Sequence, residues 1–402
     1  MDSGPLPSPV EDQVRRLDRW LLDEGARASD PGVVLKGFSE QLLQLGLPLV
    51  RTTTHTRALH AERIGVTRIW RKDRKLEEVY FPHGARDDPV YLNSPLKHVY
   101  DTGEWLEIWT DTAAADRFNI VSDLRDLGVT HYVVAPMFYS NSTENAVTWS
   151  TDRPDGFLPE ELDLLRGIFP TLSTILELRT LYHTFSDVLR MYAGRGPAER
   201  ILSGQVRRGE VARIESAILF CDMRNFTALS SAMSAEDLVT LLNEYFDCVV
   251  PSVISQAGEI LKYLGDGILA IFPAAEEDGE AASEKAVTYS CAAAYGAATA
   301  IIEALAKRNA ERAADSIQIE TAVALHYGHL AYGNVGSGER LDFTVIGSAV
   351  NLTSRISELC AVVERPILMS AAFAERIGSD CCPVGAFELK GIDGRTTIHA
   401  PE

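Results

Sequence analysis

At 402 residues the chain is about two to three times the usual domain size, which predicts two domains joined by a linker. An apolar share of 46% with 24% charged residues supplies material for buried cores and excludes wholesale disorder. Acidic residues number 57 against 38 basic ones, a net charge of −19 that excludes general attraction to nucleic acid or anionic lipid, so any anionic ligand has to be bound locally.

Met1 to Pro9 carries Asp2 and three prolines, with no basic region leading into an apolar run, so no secretory leader is expected and a cytoplasmic location is. Two helices are predicted over Val10 to Glu24 and Gly32 to Leu45, where Val14, Leu17, Leu21 and Leu35, Phe38, Leu42 recur at helical spacing. The period then changes, and strands are predicted at Gly65 to Trp70, Leu76 to Phe81, Trp105 to Trp109, His131 to Tyr139 and Ala146 to Ser150. Pro159 opens a further helix, with Pro170 at a kink or a restart. This helix pair, mixed sheet and long exit helix resemble, in architecture, the GAF domains that precede many bacterial catalytic domains; a PAS-like or unrelated sensor is the alternative. The resemblance implies a regulatory α/β domain over 1–172 with an unidentified small-molecule or protein regulator. His55, His60, His83, His98 and His131 form no haem or metal signature.

Residues 173–212 read as a helical linker. Leu178, Leu181, Phe185, Val188 and Tyr192 alternate steps of three and four, the stripe of a short parallel coiled coil or of a helix packed on its own domain. Arg195-Gly196-Pro197 is expected to break that helix, and Gly204 to Glu210 to form a hinge. From 213 to 402 strands are predicted at Ser216 to Asp222, Glu259 to Leu264, Ile268 to Phe272 and Ile319 to Leu325, with long helices between them, which makes an α/β sandwich with a partly antiparallel sheet. Ala281 to Ala306 is apolar, but Glu284, Lys285 and Glu303 interrupt it, so a packed helix is expected rather than a membrane span. The six cysteines lack paired C-x-x-C spacing and are expected as reduced thiols, Cys381-Cys382 included.

Two acids stand out. Asp222 ends an apolar strand and Met223 to Thr227 lead into a helix predicted over Asp237 to Phe246, so an acid able to hold a cation sits beside backbone N–H groups able to face phosphate. Asp266 lies in Leu264-Gly265-Asp266-Gly267-Ile268, a tight hairpin between two apolar strands. Each acid alone also fits an ordinary turn or cap. Together, at the ends of neighbouring strands, they make a hard-oxygen site suited to paired magnesium ions on a triphosphate.

Phe220 to Thr227, Gly258 to Phe272 and Tyr332 to Glu358 resemble the successive signatures of the class III adenylyl and guanylyl cyclases. The resemblance implies a ferredoxin-like α+β catalytic domain that converts ATP to cyclic AMP and pyrophosphate, with two Mg2+ (or Mn2+) ions held by Asp222 and Asp266. It places the substrate against Phe226 and Thr227, and Lys262 beside the base. Thr344, seven residues before Asn351, stands where many members carry aspartate, and its hydroxyl can accept from the adenine amino group. Lys262 with Thr344 resembles an adenylyl-cyclase subgroup; guanylyl cyclases generally show Glu and Cys there. Spacing favours Thr344 over the neighbouring Asp342 as the base-reading residue. Asn351 and Arg355, four apart on one helix face, are implied to orient the ribose and to stabilise phosphate charge in the transition state. No side-chain base is evident, which leaves water or substrate phosphate to take the 3′-hydroxyl proton. In the family each site lies between two subunits, so one copy of all six residues implies a homodimer with two equivalent sites. A guanylyl cyclase, and an inactive nucleotide-binding module, are the competing readings. The glycines of Tyr332 to Gly336 fit a turn, and His326 and His329 are expected as core or surface histidines.

Overall fold

The computed structural model describes residues 9–274, 282–313, 316–377 and 381–402. The stretch read for a leader lies outside them except for Pro9, as does Ala281. The chain divides into two compact units, Met1–Val188 and Leu189–Glu402.

The first unit runs α1 (Pro9–Asp23), α2 (Pro31–Gln44), β1 (Arg51–Arg57), β2 (Arg63–Arg71), β3 (Glu77–Pro82), α3 (Pro89–Leu92), α4 (Pro95–Thr102), β4 (Leu106–Trp109), α5 (Ile120–Asp126), β5 (His131–Phe138) and β6 (Glu144–Thr151), and α6 (Pro159–Ala193) leads out of it. Its sheet, in the order β3-β2-β1-β6-β5-β4, is antiparallel at every pair rather than mixed. Leu21 of α1, Phe38 of α2 and Leu165, Ile168 and Leu172 of α6 bury one face against Val133, Val147 and Trp149. Val99 of α4 with Val121 and Leu124 of α5 cover the other face, over Tyr132 and Val134.

β1, which sequence periodicity missed, is central. Its Arg-Thr-Thr-Thr-His-Thr-Arg run has no apolar alternation, yet β-branched threonines suit a pleated strand. Two of its side chains are paired across the sheet, Thr53 Oγ1 lying 2.6 Å from Thr148 Oγ1 and His55 2.7 Å from Thr67, and His55 also lies 2.9 Å from Thr53 on its own strand. Burial lowers the His55 pKa to about 3, so it is a neutral hydrogen-bonding group. Pro170 neither breaks nor restarts α6, which is one helix of 35 residues.

The second unit continues with α7 (Arg195–Leu202), β7 (Val211–Met223), α8 (Phe226–Ala232), α9 (Ala235–Ser255), β8 (Glu259–Tyr263), β9 (Gly267–Pro273), α10 (Glu284–Glu311), β10 (Thr321–Gly336), β11 (Leu341–Ile346), α11 (Ser348–Val363), β12 (Ile367–Ser370), α12 (Ala371–Ile377), β13 (Cys381–Glu388) and β14 (Arg395–Pro401). The sheet order is β13-β14-β12-β10-β7-β9-β8, with β11 on the far half of β10. β10 and β12 are parallel, joined through β11 and α11, and the other pairs are antiparallel, so this sheet is mixed. α9 and α10 cover one face through Tyr245, Val249, Ala294, Ala297 and Ile301. By length and mean hydropathy both helices could cross a membrane, but both bury their apolar stripes on this sheet.

Two local expectations are corrected. The break after the stripe is Gly194 (φ +89), and Arg195-Gly196-Pro197 instead opens α7, where proline in the first turn lacks only an N–H that has no helical partner. Tyr332 to Gly336 is strand, not turn: a Cβ on Gly333 would sit 2.2 Å from the Glu210 carbonyl oxygen, so its glycine answers to a close backbone approach.

Candidate active site

Side chains alternate along β7. Leu219 and Cys221 enter the core under α9 and α10, so Ile218, Phe220 and Asp222 face the other way. Asp222 pairs in register with Gly267 of β9. A Cβ there would lie 2.6 Å from the Cys221 carbonyl oxygen and 2.8 Å from Asp222 Oδ1, so only glycine lets the strands close with the carboxylate between them. Gly265 (φ +76) turns the hairpin, and the Met223 N–H donates to the Asp266 carbonyl at 3.1 Å. These bonds set the two carboxyl groups side by side, within hydrogen-bonding reach. Burial first, then the Asp266 charge, pushes the Asp222 pKa up to about 6.

Two crowded carboxylates of which one resists ionisation are the donor set a divalent cation satisfies, since the cation supplies the charge each acid lacks. Among the described residues no cluster of three or more His, Cys, Asp or Glu side chains fit to hold a metal is present, so further oxygen ligands of such a cation would be backbone carbonyls, water or a bound phosphate.

A second group lies on β8, β11 and α11. Lys262 of β8 forms an ion pair with Asp342 of β11. Phe343 and Val345 point to the core between them, which puts Asp342 and Thr344 together on the opposite face of β11. On α11, Thr353 and Ile356 are buried while Asn351 is exposed and Arg355 pairs with Glu358 one turn on. Among the described residues no hydrogen bond or ion pair joins Lys262, Thr344, Asn351 or Arg355 to Asp222 or Asp266. Asn225 (φ +61) turns the chain into α8, where Phe226 packs on the core and Thr227 is exposed.

Spacing arguments passed over two residues. Asp342, set aside in favour of Thr344, is the partner of Lys262. Arg224 ties the Asp222 loop to the end of α11 by donating to the Cys360 and Arg365 carbonyls at 2.7 and 3.0 Å. Only tertiary packing shows either. His326 is a core histidine on Ser370, lowered by burial to about 4, and His329 is at the surface. The six cysteines, all among the described residues, form no disulfide.

Residues 212–399 match the adenylate and guanylate cyclase catalytic domain. This half of the chain belongs to that family. The cyclase domain is 32% identical over 199 residues to an adenylate cyclase of Anabaena cylindrica, a match spanning 48% of this chain and 36% of the relative. It is 32% identical over 190 residues to adenylate cyclase 1 of Rhizobium meliloti (strain 1021), spanning 46% and 27%. The chain thus spans about a third or less of the length of these relatives. The adenylyl cyclase CyaB from P. aeruginosa has a solved structure similar to the cyclase domain, at 26% identity and a TM-score of 0.40, covering 47% of this chain and 94% of that one.

Proposed function

We propose that the chain is an adenylate cyclase that forms 3′,5′-cyclic AMP and pyrophosphate from ATP at two sites shared within a homodimer, under the control of its amino-terminal unit. The observation that carries this reading is the Asp222–Asp266 pair, closed around Gly267 at the ends of β7 and β9. It is suited to two ions of magnesium or manganese, which when bound supply positive charge that acidifies the ribose 3′-hydroxyl and steadies the pyrophosphate. Arg355 places a permanent cation against the phosphates as charge shifts toward the leaving group. Asn351 holds the ribose, with a donor and an acceptor on one amide. Lys262 donates to the base and Thr344 accepts from its amino group, which selects adenine over guanine.

Support for the dimer comes from surfaces left open in one copy. A groove of about 1100 Å³ beside Lys262 is flanked by exposed Ile254, Tyr263 and Leu341. Leu178, Leu181, Phe185 and Tyr192 of α6 are likewise exposed, as a paired stripe requires in its single-chain form. A cytoplasmic location follows the substrate. Purified protein given ATP or GTP separately, with magnesium or manganese, is expected to make cyclic AMP at least about tenfold faster than cyclic GMP. Equal rates, or none, would sink the reading.

Asp342 acts in this scheme as a positioning residue that aims the Lys262 ammonium at the base. Exposed ion pairs contribute little to stability, so Asp342→Asn should leave the melting temperature within about 1–2 °C of wild type. It should raise the KM for ATP severalfold at nearly unchanged kcat and narrow the ATP-to-GTP ratio. An unaltered KM and ratio would remove Asp342 from the site.

A further inference from the structure

The first unit contains a cavity of about 260 Å³ at the β1–β2 hairpin, beside the exit helix. We propose that it binds a compact organic or inorganic polyanion, phosphate or carboxylate in character, and that the bound anion bridges the β1–β2 hairpin to α6.

The lining is cationic in a chain whose net charge is −19. Arg57, Arg63 and Arg68 converge on it from β1 and β2, while Asp187 is the one carboxylate among the lining residues. Arg68 is built in: it is 4% exposed, with its Nε donating to Glu78 Oε1 at 2.8 Å and its Nη1 to Thr56 Oγ1 at 3.0 Å. Arg63 is held by stacking on the Tyr80 ring, 4.3 Å from its centroid. Arg57 is exposed, lines the cavity and has no ion pair among the described residues. Planar guanidinium forks fixed in this way suit the oxygens of phosphate and carboxylate.

The opposite wall is one face of α6. Thr180, His183, Thr184 and Asp187 follow the i, i+3, i+4, i+7 spacing; the two threonines offer hydroxyls to an oxyanion, while His183 Nδ1 lies 2.9 Å from Asp187 Oδ2. The volume, slightly below the usual range for small-molecule sites, limits the ligand to about the size of citrate. Because α6 runs on without a break to Ala193, an anion held here would act on the segment that leads into the second unit.

The test is amide hydrogen exchange on the full-length chain, without divalent cations and at constant ionic strength set with chloride, titrated with inorganic phosphate and with citrate. Exchange in 56–68 and 180–187 should slow at least threefold with one of these probes, and that site is distinct from the cyclase residues. Arg57→Gln, at an exposed position, should weaken the effect at least fivefold. Asp187→Asn, which removes the like charge and its hold on the His183 imidazole, should strengthen it. No slowing with either probe, or slowing unchanged in Arg57→Gln, overturns the proposal.

Discussion

Replacing Asp222 by asparagine is expected to cut turnover at saturating ATP and magnesium at least about a hundredfold while making the metal-free protein more stable near neutral pH. The two effects share one cause. Burial and the neighbouring Asp266 raise the Asp222 pKa from 3.8 to about 6, so the ionised form is disfavoured in the fold. A carboxyl whose folded-state pKa exceeds its unfolded value stabilises the fold when protonated. That contribution is fully present below about pH 4 and is lost as the pH rises through about 6. Asparagine keeps the shape and does not titrate, so the variant should melt about 2–5 °C higher than wild type at pH 7.5 without metal, allowing for solvent screening at a half-buried group. The difference should vanish near pH 4. Magnesium should then stabilise wild type and leave the variant nearly unmoved. A variant that is less stable than wild type at pH 7.5 without metal, or that keeps its turnover, would remove the cation assignment.

What the sequence made legible was whatever a short-range pattern encodes. The strand into Asp222, the glycine-flanked Asp266 hairpin and the Asn351/Arg355 helix face each sit within a few residues of their own signal, and the structure forms each as read. β1 was hidden because its stability comes from Thr53 meeting Thr148 and His55 meeting Thr67, partners 95 and 12 residues away. Gly333 looked like a turn glycine because nothing local reveals the Glu210 backbone packed on it. Asp342 lay in plain view, but two acceptors two residues apart on a strand share a face, and only the approach of β8 decides which of them Lys262 meets. β12 has only four residues, too few for a period to register, and in β13 an irregularity between Pro383 and Gly385 interrupts the alternation.

Mixing two inactive chains should restore activity if each site draws on two subunits. Asp222 and Asp266 are adjacent on one chain, while Arg355 lies on α11 with no bond to either among the described residues. In a heterodimer of Asp222→Ala with Arg355→Ala, one site combines both lesions and the other combines two unaltered halves. Random pairing makes half of the dimers mixed, so about a quarter of the wild-type sites should be intact. The control is Asp222→Ala mixed with Asp266→Ala. Those lesions fall on the same half of the site, so each of the two sites in that heterodimer loses one acid and activity should stay at the background of the single variants. Two affinity tags purified in sequence would isolate the mixed dimers. Recovery in the first mixture and none in the second requires a shared site with both acids on the same side. Equal failure of both mixtures, with heterodimers in hand, would place a whole site within one chain and overturn the dimer mechanism.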